Sequence, residues 1–331
     1  MQGLLVGLCP SPSGVNPFLR WPLMLLPFAL WGTAMAAMKP LLDTLSPPAL
    51  AWLRLLPAGL ALLLAAVVLR RPLAVDPRDR PWLLAFALVD GSLFQLLLAA
   101  GLAETGAGLG SVLIDSQPLL VALLARTVLG EAINPVGWVG LLVGFAGIAC
   151  LGLPAGLLRH WWLLGPPSPA LESIGRGELL MLLAAAAMAF GTILARRACR
   201  HSDPVAVTAW HLLVGALPPL ALAALPVFGG LQGLWPSLSP AGWLLVAYAA
   251  LPGSALAYGL FFWFASQGDL TGFTSLTFLT PVFALLSGGL LLQESLRPLQ
   301  WLGVVLALAS VLLINRRSVL WQPLPLQPER I

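Results

Sequence analysis

Two aspartates stand where charge is expensive. Asp90 lies in "LLAFALVDGSLFQLLLAAG" and Asp115 in "GSVLIDSQPLLVALLA", runs with no other ionisable side chain. An acid inside a long apolar segment must be paired, hydrated or protonated, and such residues commonly mark ion, proton or substrate paths. Two basic residues sit in similar surroundings, Arg54 in "AWLRLLPAG" and His211 in "TAWHLL". Arg54 is expected to pair with Asp115 and hold it ionised, which leaves Asp90 as the candidate for proton coupling. The plainer readings are a structural Asp90 beside the flexible Gly91–Ser92, and an Arg54 that snorkels to the interface along its aliphatic stem. His211 is either a hydrogen-bonded structural residue or a cavity group. Trp31, Gln95, Gln117, Trp210, Tyr258 and Trp263 add hydrogen-bonding groups and π-faces to a substrate cavity that includes Arg54, Asp115 and His211.

This is chemistry for binding and carrying. The chain has no HExxH or GxSxG motif and no clustered His/Cys set, so no catalytic site, metal or cofactor is expected. "GAGLGS" at 106–111 resembles a phosphate loop only superficially, because no strand precedes it. Cys9, Cys150 and Cys199 are far apart and read as apolar fillers or free thiols.

The elements that must hold these residues are membrane helices. Of 331 residues, 9% are charged and 59% hydrophobic, with a mean hydropathy of +0.92. A soluble surface carries far more charge. About 20 apolar residues cross a bilayer as a helix, and ten such runs are present: about 21–38, 48–69, 82–102, 107–128, 135–153, 177–196, 205–227, 242–265, 272–292 and 298–315. The runs lack strand alternation, which excludes a β-barrel. The expected fold is therefore an all-α polytopic membrane protein. Asp90 and Asp115 each fall about eight residues inside a span, roughly 12 Å deep at 1.5 Å per residue.

Arginines set the orientation, since Lys and Arg in short loops favour the cytoplasm. An inside N-terminus places Arg20, Arg70, Arg71, Arg78, Arg80, Arg126, Arg196, Arg197, Arg200, Arg316, Arg317 and Arg330 on that face. Only Lys39, Arg159, Arg176 and Arg297 fall outside. Both termini are then cytoplasmic, and the net charge of +4 reflects topology and calls for no nucleic-acid partner. Residues 1–20 read as a cytoplasmic tail rather than a cleaved signal, for want of a basic n-region and a long enough apolar run.

The chain also repeats itself. "QPLLVALLARTVLGE" ends at Glu131 and "TPVFALLSGGLLLQE" at Glu294; an offset of 163 maps Pro118 onto Pro281 and Glu131 onto Glu294. Offsets of 162, 159 and 157 align Gly91–Ser92 with Gly253–Ser254, "WGT" with "FGT", and Arg54 with His211. Five helices is an odd number, so the second copy enters from the opposite side, an inverted repeat of the kind tied to alternating access. The expected organisation is a tail (1–20), a first repeat (21–153), an external linker (154–176), a second repeat (177–317) and a second tail (318–331). Pro118 and Pro281 are expected as gating kinks inside their helices, and Glu131 and Glu294 as helix-end caps or anchors. Gly137, Gly140, Gly144 and Gly147, echoed by Gly303, Ala307 and Ser310, make small faces for close packing within the monomer or at a homodimer contact.

The paired Pro…Glu helices, "WGT", "WLRLLPAG" and "SALAYGLFFWFA" in this order resemble the EamA branch of the drug/metabolite transporter superfamily, over nearly the whole chain from Trp21 to Arg317. The resemblance implies a central cavity lined mainly by the third, fourth, eighth and ninth helices, and export of small organic metabolites. The expected function is a secondary transporter, an exporter working by alternating access, of a small organic metabolite such as an amino acid or related compound in the bacterial inner membrane, with a small molecule and the lipid bilayer as partners. An organophosphate or nucleotide-sugar exchanger is the alternative, but it calls for cavity cations and the chain has one lysine, Lys39. A membrane-embedded enzyme is the remote one.

Overall fold

The computed structural model describes residues 17–105, 107–152, 175–230, 237–284, 286 and 298–320, and every regular element among them is helical. In chain order they are α1 Pro17–Met38, α2 Pro47–Val68, α3 Arg80–Glu104, α4 Ala107–Ile114, α5 Gln117–Val128 and α6 Pro135–Gly152. The second half continues with α7 Arg176–Ala198, α8 Pro204–Ala223, α9 Pro240–Ala265, α10 Leu270–Thr274 and α11 Pro298–Asn315. Short 3₁₀ turns fill several connections.

Proline sets many helix starts. α2, α6, α8, α9 and α11 all begin on it, where its fixed φ suits the helix and its missing N–H costs nothing. Asp203 caps α8 by accepting from the Val205 and Ala206 N–H groups, and Ser239 caps α9 through Gly242. At the far end of α3 the Lys39 ammonium donates to the Leu102 and Thr105 carbonyls, satisfying groups the helix leaves open. Leu64, Leu142, Leu244, Val305 and Leu312 stay more than half exposed, an apolar outer surface suited to lipid.

Seven of these helices are long and apolar enough to span a membrane, with Pro135–Leu151 and Leu270–Ala284 as shorter apolar helices. The expected span 107–128 is instead two helices, α4 and α5, that meet at a turn over Asp115–Ser116. Pro118 is the second residue of α5, so it opens a helix and interrupts none, which corrects the expected kink. Pro281 is placed likewise: α10 runs into a 3₁₀ segment, Ser275–Leu279, and a new α-helical stretch starts at 280. Glu294 lies outside the described residues, as do 154–174 of the expected external linker.

A second matched irregularity falls on the repeated Gly–Ser pairs. α3 carries a π-helical segment over Ala87–Phe94 and α9 one over Leu251–Leu256. In each, the serine hydroxyl donates to the carbonyl five residues back, Ser92 to Ala87 and Ser254 to Ala249. π-turns of this kind are frequent at functional sites.

The small faces pack on each other. A Cβ on Gly147 would come within 2.8 Å of the Ala307 nitrogen and one on Gly303 within 2.8 Å of the Gly147 carbonyl, so α6 and α11 touch backbone to backbone. Gly144 is filled by Phe278 and Ser310. These faces thus pack inside the monomer, the first of the two uses expected for them.

Candidate functional site

A cavity of about 260 Å³ lies at the junction of the halves. Trp31, Arg54, Asp115, Gln117, Tyr258, Thr277, Thr280 and Pro281 line it, with Met35, Met38, Phe94, Leu98 and Leu151 extending it toward the helix ends remote from the arginine-rich face. The expected lining by the third, fourth, eighth and ninth helices is incomplete. α1 contributes the longest stretch, from Trp31 to Met38. It comes this close because Gly32 has no side chain: a Cβ there would lie 2.6 Å from the Thr280 carbonyl.

Arg54 is the cavity's buried cation, 2% exposed. Its guanidinium donates to Gln95 Oε1 at 3.2 Å and to Ser254 Oγ, in the π-segment of α9, at 3.1 Å. Gln95 in turn donates to the Tyr258 hydroxyl at 2.7 Å. Two donors are thus fixed by both halves, while Nε has no acceptor among the described residues. Such a fork, held rigid, suits a carboxylate. Asp115 lines the same cavity at the α4–α5 turn, so an acid and a guanidinium face one space. Gln117 Nε2 donates to Thr192 of α7, tying α5 to the "FGT" threonine.

Asp90 and His211 are brought together instead of joining this wall. His211 Nε2 stands 2.9 Å from Asp90 Oδ2, and both side chains are 0% exposed. The contact is close in distance but lacks the alignment of a linear hydrogen bond. The imidazole stacks on Phe86 at 3.7 Å, with Phe262 edge-on. Three glycines allow this packing. A Cβ on Gly191 would strike the Asp90 Cβ at 2.5 Å, and one on Gly215 would lie 2.6 Å from the Gly91 Cα. The repeat accounts for the arrangement: Arg54 of α2 touches the π-segment of α9, and His211 of α8 touches that of α3.

Other expected cavity residues lie elsewhere. Gln95 sits behind Arg54. Trp210 is 36% exposed and donates to the Leu73 carbonyl at the arginine-rich end, because the loop there folds back over α8. Trp263 packs edge-on against Phe264. Glu131 lies beyond the end of α5 and bonds across to the second half, where Oε1 accepts from the Thr271 N–H and meets Arg317. Ser254, Asp269 and Arg317 were not singled out from sequence; only the repeated Gly–Ser pair pointed toward the first.

The comparisons bear on family and fold. The profile of the EamA-like transporter family matches residues 21–153 and 175–316. An uncharacterized transporter of Synechocystis is 48% identical over 93% of each chain. A chloroplastic WAT1-related protein of Arabidopsis thaliana is 43% identical over 92% of this chain and 71% of its own. A crystal structure at 19% identity shares the fold, with a TM-score of 0.67 over 89% of this chain and 96% of the other. Two matches to the family profile and a transporter 48% identical over 93% of each chain lead to one conclusion: the chain belongs to the EamA-like transporter family and is a multi-pass membrane transporter.

Proposed function

We propose that this transporter is a secondary exporter of a small zwitterionic metabolite, such as an amino acid, working by alternating access of two inverted halves in the bacterial inner membrane with both termini in the cytoplasm. The observation that carries the reading is that Arg54 and Asp115 both line one small cavity. The guanidinium receives a carboxylate and the acid an ammonium, while Trp31, Phe94 and the methionines take an apolar side chain. A volume of about 260 Å³ suits a small metabolite; drug-sized ligands occupy pockets of roughly 300–1,000 Å³. A single guanidinium among the described lining residues also disfavours a nucleotide sugar, whose phosphates need several cations. With no ATP-binding motif, the drive must come from a gradient. Asp90 is the proposed proton carrier, with His211 as its partner across the interface. Pro118 and Pro281, each at a helix break beside the cavity region, are the proposed gating points.

The test is counterflow in liposomes holding the purified full chain, run with amino acids and nucleotide sugars under an imposed pH gradient. The expected result is gradient-driven accumulation of an amino acid, lost in Asp90→Asn while equilibrium exchange persists. A preference for nucleotide sugars would overturn the substrate reading. Gradient-driven accumulation by Asp90→Asn would make Asp90 structural.

A further inference from the structure

At the arginine-rich end, three charged side chains tie the first half to the second. Arg317, just beyond α11, places Nη2 at 3.1 Å from Glu131 Oε1 and 2.9 Å from Asp269 Oδ1. Glu131 belongs to the first repeat, between α5 and α6; Asp269 caps α10 in the second by accepting from Gly272. Asn134 completes the tie by donating to the Arg317 carbonyl and accepting from Gly137. The other charged groups near Glu131 are engaged with carbonyls: Arg196 donates to Gly268 and Arg126 to Ile133.

Two carboxylates therefore share one guanidinium nitrogen. The arrangement is balanced when one acid carries a proton and is repulsive when both are ionised. Burial, and then the neighbouring Asp269, push the Glu131 carboxyl up to about 7. The sequence makes the device one-sided. The repeat offset of 163 carries Glu131 to Glu294, but it places Gly106 where the second half has Asp269 and Pro154 where it has Arg317. At that offset the first-half positions matching Asp269 and Arg317 are thus uncharged in the sequence, although the glutamate is kept.

We propose that Glu131, Asp269 and Arg317 form a proton-dependent latch that holds the cytoplasmic ends of the two halves together and releases them when Glu131 loses its proton. This rests on the alternating-access reading and adds a regulated cytoplasmic gate to it. The raised Glu131 belongs to the closed form. Closing is therefore fully favoured below the ordinary value of 4.5 and is lost as pH rises toward about 7. Across that interval the ratio of closed to open weakens about tenfold per pH unit, and it levels off above.

The test uses the full chain in nanodiscs, free of native cysteines, with spin labels on Ala132→Cys and Gln267→Cys. Distances between the labels are measured by pulsed electron resonance from about pH 5 to about pH 8. The expected result is a short distance in acid that gives way to a longer one as pH rises. Glu131→Gln should stay short throughout, and Arg317→Ala should be long throughout. Asp269→Asn keeps the α10 cap yet removes the competing acid, so it should stay short at neutral pH and guard against a misfolded Glu131→Gln. A pH shift that persists in Glu131→Gln and Asp269→Asn overturns the latch and leaves alternating access standing. One distance in every variant, Arg317→Ala included, overturns the rocking of the halves as well.

Discussion

The contact between Asp90 and His211 can be weighed by a double-mutant cycle. His211→Leu keeps the volume against Phe86 but leaves the Asp90 carboxyl, 0% exposed, without its imidazole. Removing one partner of a buried pair costs about 3–5 kcal/mol, because the other charge stays sealed from water. Asp90→Asn fits the same space beside Gly191 and leaves a neutral amide, for about 1–3 kcal/mol. Once the carboxyl is gone, the imidazole no longer compensates a charge. His211→Leu should then add little in the Asp90→Asn background, giving a coupling of about 2 kcal/mol or more. The assay is unfolding of the full chain in mixed micelles by SDS titration at neutral pH, with all four proteins compared. A repeat in acid should shrink the His211→Leu penalty, since the stranded carboxyl can take up a proton. Penalties that add to within about 0.5 kcal/mol would refute the interaction and leave two unrelated polar residues in a tight interface.

Two further outcomes follow from the packing and the charge pattern. Gly215→Ala should destabilise the fold by about 1–3 kcal/mol in the same titration, because its Cβ would lie 2.6 Å from the Gly91 Cα and 2.9 Å from the Ala87 carbonyl, both backbone atoms that cannot rotate away; an unchanged midpoint would show that the π-segment yields freely. In right-side-out vesicles, an impermeant thiol reagent should label Ser168→Cys and spare Arg78→Cys, and the reverse pattern would overturn the inverted orientation.

The sequence by itself determined the solvent of this protein, its helical class and its duplication. Those rest on sums over many residues: apolar length, charge scarcity and repeated spacing hold wherever the chain goes. It also located Arg54, Asp115, Gln117, Trp31 and Tyr258 as cavity groups, because a polar side chain deep in an apolar run has few other places to satisfy itself. What it could not determine was which polar groups meet. Asp90 and His211 are 121 positions apart, and only the approach of α3 to α8 at Gly91 and Gly215 sets them 2.9 Å from each other. Trp210 looked like a cavity ring until the 70–79 loop placed a carbonyl beside its indole. The prolines read as kinks because a continuous apolar run hides a turn, and the turn at Asp115–Ser116 borders the cavity. Asp269 and Arg317 sit at helix ends, where sequence offers a charge many uses. The packing of the two halves gave them one in common, since a guanidinium between two acids is a property of three chain segments and of none alone.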